Sequence, residues 1–228
     1  MTLTIPGQAD DGTPKLDRTP LGSQIASSLR RDILFGRIRP GTRLSQQELC
    51  DRFGTSRMPV RDALRELVYS GLLEQDGGRH AIVASLNRAD LMDSFTIEGM
   101  LGGFAARKAV ENATAEDITI LEDLHTRMQQ SPPEVVAGLN WQFHRHINRM
   151  AKSRKLLAAL RQVSLDVPRD YLTEFPEWAQ RSHTEHEDLL TALRNGDGER
   201  AERIMIDHLV ESGRGLIDYL EARGLQID

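Results

Sequence analysis

Histidine is the residue type in this sequence best suited to metal chemistry, and the chain has seven. Residues 140–150 read NWQFHRHINRM, which places Asn140 four positions before His144 and His146 two positions after it. On a helix, residues i and i+4 point to one side, whereas residues i and i+2 are turned apart by about 200°. Asn140 and His144 can therefore share one site, but periodicity alone does not decide which of the two histidines faces the interior.

Two further histidines lie on later segments with helical spacing. His186 falls within SHTEHEDLLTAL and His208 within AERIMIDHLVESG, and both segments could close over the first one. Three imidazoles and one amide oxygen from three helices would form a metal site inside a helical bundle. Scattered helical histidines are more often surface or core residues than ligands, so the spacing leaves both interpretations open.

Composition limits the other possible metal ligands. The chain has one cysteine, Cys50, which excludes an intramolecular disulfide and a cysteine-based zinc cluster. A chain of 228 residues with 39% hydrophobic and 28% charged residues is typical of a soluble globular protein. No apolar run approaches the roughly 20 residues that cross a bilayer. The start of the chain also lacks the pattern of a signal peptide, so we expect a cytoplasmic protein.

Charge divides the chain into two parts. Residues 19–86 carry ten arginines and seven acids, a net charge of +3, although the whole chain carries −5. The remainder therefore carries −8. A basic N-terminal part and an acidic C-terminal part predict two domains with different partners.

The basic part has the pattern of three helices. Apolar residues recur at helical spacing over 21–34, and a second helix is predicted to begin at Ser45 with Glu48 in the spacing of a capping box. A third helix has Pro59 in its first turn and ends before Gly71. The tight FGTS turn between the second and third helices indicates a helix-turn-helix.

A strand, a glycine turn and a second strand follow in LLEQDGGRHAIVA, which predicts a winged helix-turn-helix. Arg57 and Arg61, one turn apart at the start of the third helix, could take guanine bases in the major groove. Gly78, Arg79 and His80 of the wing could reach the minor groove or its phosphates. Arginines on a short helix are often only a solvated face, and composition alone does not exclude that.

The acidic part is predicted to be an all-helical bundle. Helical periodicity extends over nearly all of residues 91–222, and no phosphate loop, nucleophile elbow or Rossmann fingerprint occurs. The predicted fold class is mainly α, a winged helix-turn-helix of three helices and a β-hairpin followed by an all-α ligand-binding bundle. The predicted divisions are a disordered arm (1–18), the winged domain (19–86), a linker (87–90), the bundle (91–222) and a tail (223–228).

The N-terminal residues resemble the GntR family of bacterial transcription regulators. They read PGTRL at 40–44, ELC at 48–50, GTSRMPVRDAL at 54–64 and GL at 71–72. The resemblance implies that Ser56, Arg57 and Arg61 contact DNA. Just before the ELA element, which is ELC here, family members often carry an arginine that touches phosphate or base. This chain has Gln47 at that place, which makes Gln47 a candidate DNA contact, and the usual RGA of the wing is RHA here. We therefore expect the operator sequence to differ from the family norm.

The C-terminal residues are similar to the FCD (FadR C-terminal domain-like) subfamily. That subfamily carries D-x-x-x-H, then S-x-x-E-H, then a histidine on the last helix, and many members hold a divalent ion there. The corresponding residues here are Asn140, His144, His186 and His208. The resemblance implies zinc as the first expectation, with nickel or another transition metal as the alternative.

Two positions depart from the subfamily pattern. Asn140 replaces a metal-binding aspartate, and because an amide oxygen brings no negative charge, we expect weaker metal binding. Glu98 and Gly102 stand where the family commonly has R-x-x-x-E, whose arginine binds the carboxylate of an organic acid. Either another base such as Arg181 replaces that arginine, or Glu98 accepts an amine or hydroxyl of another effector, or Glu98 is only a solvated residue.

We therefore expect a homodimeric, metabolite-responsive transcription regulator, with repression as the more frequent mode in the family. It would bind a palindromic operator in double-stranded DNA, and effector binding would change the placement of its two DNA-binding heads. Two alternatives stay open. The bundle could be a metal-free dimerisation module, or the histidine cluster could serve a metal-dependent hydrolase.

Overall fold

The N-terminal part of the chain folds into helices and a small sheet, as the sequence predicts. The computed structural model describes residues 20–76, 80–85, 87–164, 176–222, 224 and 227. The predicted arm and most of the predicted tail lie outside these residues. The elements of this head are α1 (Leu21–Leu34), β1 (Arg43–Ser45), α2 (Gln46–Phe53), α3 (Arg57–Tyr69), β2 (Leu73–Asp76) and β3 (His80–Val83).

The sheet contains one strand more than the predicted hairpin. β1 and β2 both pair with β3 in antiparallel orientation, which gives the order β1-β3-β2. Leu44 of β1 is buried opposite Ala81, whereas its neighbour Arg43 is exposed. This single buried residue anchors β1 to the core of the head. A strand of three residues is too short to show an alternating pattern, so the sequence did not reveal it.

The caps of two helices differ, and one of them was predicted. The predicted capping box of Ser45 and Glu48 is wrong, because Ser45 makes no side-chain cap and pairs with His80 as part of β1. A capping box is present instead at Thr114 and Asp117. The Asp117 amide donates to Thr114 Oγ1 at 3.2 Å, and the Thr114 amide donates to Asp117 Oδ2 at 3.0 Å.

The rest of the described chain is helical, as predicted. Its first helix begins at Arg88, where Asn87 Oδ1 accepts a hydrogen bond from the Ala89 amide at 2.7 Å, so residues 88–90 of the predicted linker are helical. No helix among the described residues is long and apolar enough to cross a membrane. The helices of this bundle are α4 (Arg88–Asn112), α5 (Ala115–Gln130), α6 (Pro133–Met150), α7 (Arg154–Val163), α8 (Pro176–Arg194) and α9 (Gly198–Ala222).

Glycines let α4 and α9 approach each other closely. A Cβ atom added at Gly103 would lie 2.6 Å from Ile206 Cγ1 and 2.8 Å from the carbonyl oxygen of Glu202. A Cβ atom added at Gly213 would lie 2.6 Å from the ring of Phe95. Both distances are far below the roughly 3.5–4.0 Å of a normal carbon contact. The close approach fixes the position of the part of α9 that carries the last histidine of the sequence motif.

The head and the bundle share one apolar core. Leu91 and Phe95 of α4, together with the buried apolar residues of α9 between 216 and 220, belong to the same cluster as Leu29 and Ile33 of α1. The rings of Phe35 and Tyr219 meet edge to face with centroids 5.9 Å apart. The helix α9 therefore extends from the centre of the bundle into the core of the head.

The cap at the start of α5 leads to a prediction about acid stability. The hydrogen bond from the Thr114 side chain is the largest cause that lowers the pKa of Asp117 from its ordinary 3.8, and His146 adds a smaller effect. A lowered carboxyl pKa stabilises the fold above 3.8, and this stabilisation is lost as pH falls through the lowered value. We expect Asp117→Asn to reduce the free energy of unfolding by about 1 kcal/mol at pH 7.

The measurement is urea unfolding followed by circular dichroism near pH 7 and near pH 3. The difference between wild type and Asp117→Asn should shrink at the lower pH. Asp123→Asn is the matched control, because Asp123 pairs with Arg127 within the same helix and has no cap role. An Asp117→Asn difference that stays constant with pH would contradict this assignment.

Candidate functional site

Three histidine side chains converge inside the bundle. His144 comes from α6, His186 from α8 and His208 from α9. The Nε2 atom of His144 lies 3.2 Å from the Nε2 atoms of both His186 and His208. Two nitrogen ligands of a tetrahedral zinc ion, each about 2.0–2.1 Å from the metal, are about 3.3 Å apart. The two distances from His144 therefore match two edges of a tetrahedral zinc site, and all three ligand atoms lie within 4.8 Å of one another.

A carboxylate fixes the orientation of one of these rings. Glu185 Oε2 lies 2.7 Å from His208 Nδ1, and because a carboxylate only accepts, Nδ1 donates to it and Nε2 is the nitrogen that faces the cluster. His186 is held by stacking on Phe143, with ring centroids 4.5 Å apart. Such contacts are typical of the residues that surround a metal site, because they set the tautomer and direction of each ligand.

Burial keeps two of the imidazoles neutral. Burial, with the nearby His208 as a second cause, lowers the pKa of His144 to about 3. Burial followed by the neighbouring histidines lowers the pKa of His186 well below its ordinary range. Metal binding requires the neutral imidazole. Both side chains are therefore in the ligand form at neutral pH.

Asn140 is the candidate for a fourth ligand. It lies one turn before His144 on α6, and its Oδ1 atom is buried with no hydrogen-bond partner among the described residues. A buried amide oxygen without a partner is unusual and calls for an ion, a water or a ligand nearby. An amide oxygen is also an acceptable donor to a divalent cation. The chemistry of the four side chains fits a metal ion.

The other histidines of the bundle have different neighbours. His146 Nε2 lies 3.0 Å from Asp117 Oδ1, on the side of α6 that faces α5. His125 Nε2 lies 3.3 Å from Glu187 Oε2, and the rings of His125 and His183 are 5.9 Å apart. Of the seven histidines, the structure therefore groups 144, 186 and 208 with their ligand atoms within 4.8 Å of one another.

The two predicted effector residues lie on helices that border this cluster. Glu98 is half-buried on α4. Arg181 lies one turn before Glu185 on α8, with its Nε atom 3.4 Å from Glu185 Oε1 and its Nη1 atom 4.0 Å from Glu211 Oε2. Its Nη2 atom is buried and has no hydrogen-bond partner among the described residues. Arg181 is thus tied to the carboxylate that orients His208.

Sequence reasoning missed two residues that support the site. Trp178 Nε1 donates to Ser212 Oγ at 3.1 Å, and Ser212 Oγ donates to the backbone oxygen of His208 at 2.7 Å. The sequence signal for Trp178 was the rarity of tryptophan, which occurs only twice in the chain. Glu185 was visible within SHTEHE, but its role depends on a contact between two helices that spacing along one helix does not show.

The exposed face of α3 carries the predicted DNA-contacting residues. Arg57 and Arg61 are exposed, whereas Val60 and Ala63 are fully buried against the head. Ser56 is the exposed N-cap residue, although its side chain makes no cap hydrogen bond. The two guanidinium groups therefore stand on the surface of the helix that a winged helix-turn-helix inserts into the major groove.

Two further predicted DNA contacts lie at the edges of this face. Gln47 is exposed on α2, and Arg57 Nη2 donates to its Oε1 atom at 3.2 Å. His80 begins β3 and is half-buried. Gly78 and Arg79, at the tip of the predicted wing, lie outside the described residues.

Comparison with known proteins matches both halves of the chain. Residues 21–83 match the bacterial regulatory proteins of the gntR family, and residues 93–211 match the FCD domain. The HTH-type transcriptional repressor RspR of Escherichia coli strain K12 is 30% identical over 201 residues, which cover 84% of this chain and 87% of that protein.

A second relative and a solved structure agree with these matches. A protein of Paenarthrobacter nicotinovorans described as "Probable D-xylose utilization operon transcriptional repressor" is 30% identical over 214 residues, covering 88% of this chain and 90% of that one. The structure of E. coli McbR/YncC has a TM-score of 0.66 and 23% identity, and covers 90% of this chain and 99% of that chain. That likeness shows a shared fold.

Proposed function

Because this chain belongs to the GntR family of bacterial regulatory proteins and carries an FCD domain, we propose that it is a dimeric repressor controlled by a metabolite that binds beside a divalent metal. The chain is a transcription regulator and not an enzyme, since the matched families and the relatives are regulators. The hydrolase alternative raised by the histidine cluster is therefore set aside.

The convergence of three Nε2 atoms carries the metal assignment. His144, His186 and His208 supply neutral or oriented imidazoles from three helices, and Asn140 supplies an amide oxygen. We propose that these four side chains hold zinc or a similar transition metal. When bound, the ion supplies positive charge that attracts an oxygen atom of the effector.

The effector site extends from this cluster towards Glu98 and Arg181. The buried Nη2 atom of Arg181 can donate to a carboxylate of the effector, which would replace the arginine that the family keeps at position 98. Glu98 can accept a hydroxyl or amine from the same molecule. The proposed effector is therefore a small organic acid that also bears a hydrogen-bond donor.

Operator binding is assigned to the head. Ser56, Arg57 and Arg61 read one half-site in the major groove, and Gly78, Arg79 and His80 contact the flanking backbone. A palindromic operator then requires two heads related by a two-fold axis. We place the protein in the cytoplasm, where the operator DNA of a bacterial regulator lies.

An exposed apolar stripe on α4 supports a homodimer. Ile97, Met100 and Phe104 are 47%, 60% and 48% exposed, and their spacing places them along one side of the helix. Exposed apolar stripes of this kind commonly mark surfaces that pack against another protein. We propose that α4 packs against its two-fold mate, which would also bring the neighbouring Glu98 close to the interface.

The helix α9 provides the connection between the two functions. It carries His208 near its middle, and its buried residues Leu216, Ile217 and Leu220 lie in the core of the head. A shift of α9 on effector binding would therefore move the head relative to the bundle. Such a shift changes operator affinity only if the effector binds the two arrangements with different affinity.

Asn140 leads to a prediction in which a substitution strengthens metal binding. Asn140→Asp replaces a neutral amide oxygen by a carboxylate, which adds a negative charge beside the ion. We expect this variant to bind zinc more tightly than wild type by about 10-fold, the scale of other changes around a metal. Competition titration with a fluorescent chelator measures the affinity.

Gln142→Glu is the matched control. Gln142 is exposed on the same helix, so this substitution adds the same charge away from the site. Equal affinity in Asn140→Asp and wild type would remove Asn140 from the ligand set.

The proposed function is tested by selecting genomic DNA fragments with the purified protein. We expect the bound fragments to share a palindromic sequence. We also expect the metal-loaded protein to release this DNA when an organic acid from a metabolite panel binds to it. Recovery of fragments without a common sequence would contradict operator binding. If operator binding is unaffected by chelation and by every panel member, the bundle is a metal-free dimerisation module instead.

A further inference from the structure

A chain of hydrogen bonds crosses the turn between α2 and α3. Gln47 Nε2 donates to Asp51 Oδ1 at 3.1 Å, and Arg57 Nη2 donates to Gln47 Oε1 at 3.2 Å. All three side chains are exposed, and all three lie on the surface that carries the DNA-contacting residues. The chain thus ends on the guanidinium group assigned to base reading.

The two hydrogen bonds fix the orientation of the Gln47 amide. A carboxylate only accepts, so Nε2 must face Asp51, which leaves Oε1 to face Arg57. Gln47 and Asp51 are one turn apart on α2, so the helix itself sets their spacing. Glutamine recognises adenine by using both amide atoms at once. In this structure both amide atoms of Gln47 face protein partners, so the direction of the amide is set within the protein.

The same contact prepares Arg57 for its base. Guanidinium has five N–H donors, and one bond to Gln47 leaves enough donors for the two that a guanine accepts. A free arginine side chain loses rotamer freedom when it binds. Because Gln47 holds the guanidinium in place before DNA binds, less rotamer freedom is lost on binding. This favours binding of the base that lies within reach of the held group.

We infer that Gln47 and Asp51 are positioning residues that hold Arg57 for guanine recognition, and that neither reads a base itself. This inference rests on the proposed operator binding by α3. It gives the family departure at Gln47 a function, since an arginine at this position could not accept a hydrogen bond from Arg57. It also gives a function to an acid on a DNA-facing surface, where simple charge repulsion from phosphate would disfavour it.

Charge and positioning predict opposite effects for Asp51. If only charge matters, Asp51→Ala should tighten binding to all DNA, because it removes a negative charge near the phosphates. If Asp51 orients Gln47, Asp51→Ala should lower the preference for the operator over other DNA. Glu48 is another exposed acid on α2 that takes no part in the hydrogen-bond chain, so Glu48→Ala is the matched charge control.

The experiment measures fluorescence anisotropy with three duplexes. These are the selected operator, the same operator with the recognised guanine replaced in each half-site, and a random sequence. Gln47→Ala and Asp51→Ala should each lower the ratio of operator affinity to substituted-operator affinity by about 3- to 10-fold, the range of one hydrogen bond. Glu48→Ala should leave that ratio unchanged while binding to all three duplexes tightens.

A double variant separates positioning from charge. Gln47→Glu with Asp51→Ala keeps the net charge of wild type and keeps an acceptor for Arg57, so we expect it to restore the wild-type ratio. If Asp51→Ala behaves like Glu48→Ala, or if the double variant fails to restore the ratio, the positioning role is wrong. Failure of the proposed function looks different, because wild type itself would then show no preference for the operator.

Discussion

Arg57→Ala is expected to reduce binding of the operator to the level of random DNA. A bidentate arginine–guanine pair contributes about 1–3 kcal/mol of discrimination, and a dimer on a palindrome loses two of them. The expected loss is therefore about 30-fold or more. Arg57 is the residue for which this loss should be largest, because it is exposed at the first turn of α3 and held by Gln47. Anisotropy with operator and random duplexes at one fixed salt concentration measures the loss.

Arg65→Ala is the matched control for Arg57→Ala. Arg65 is also exposed on α3 and has the same charge, but it lies two turns further from the end of the helix that enters the groove. We expect Arg65→Ala to weaken binding to operator and random DNA equally, since it loses only attraction to phosphate. Retention of operator preference in Arg57→Ala would refute the assignment of α3 as the recognition helix.

His144→Ala is expected to weaken zinc binding by about 100- to 1,000-fold. Structural zinc sites with four ligands have apparent binding free energies of about 10–16 kcal/mol, so one ligand accounts for about 2.5–4 kcal/mol. His144 is the central residue of the cluster, because its Nε2 atom lies 3.2 Å from the Nε2 atoms of both His186 and His208. Competition titration against a chelator of known affinity measures the change.

His146→Ala provides a control on the same helix. His146 faces Asp117 on α5, so its removal should leave zinc affinity unchanged within about two-fold. Zinc should also raise the melting temperature of wild type and His146→Ala, because a ligand that binds only the folded state stabilises it. A similar stabilisation of His144→Ala by zinc would show that the ion binds elsewhere.

Much of the fold could be predicted from the sequence because helices dominate it. Helical periodicity predicts a bundle over residues 91–222, and the described helices α4 to α9 lie between Arg88 and Ala222. Apolar periodicity predicts the helices, and glycines or prolines near their ends predict where each helix begins or stops. The strand β1 escaped prediction because only Leu44 marks it, and its pairing partner lies almost forty residues further along the chain.

The candidate site was predictable only in part. Helical spacing placed Asn140 with His144, but it could not choose between His144 and His146. The structure makes that choice through neighbours, since Asp117 engages His146 from α5 while His208 meets His144 from α9. The roles of Glu185 and Trp178 likewise depend on contacts between helices that one sequence does not specify.

Metal content of the protein as purified, without chelator and without nickel resin, tests the central claim most directly. Elemental analysis is predicted to find close to one transition-metal ion per chain in wild type, and close to none in His144→Ala prepared in the same way. Wild-type protein that contains far less than one ion per chain, and that fails to take up zinc on addition, would contradict the assignment of His144, His186 and His208 as a metal centre.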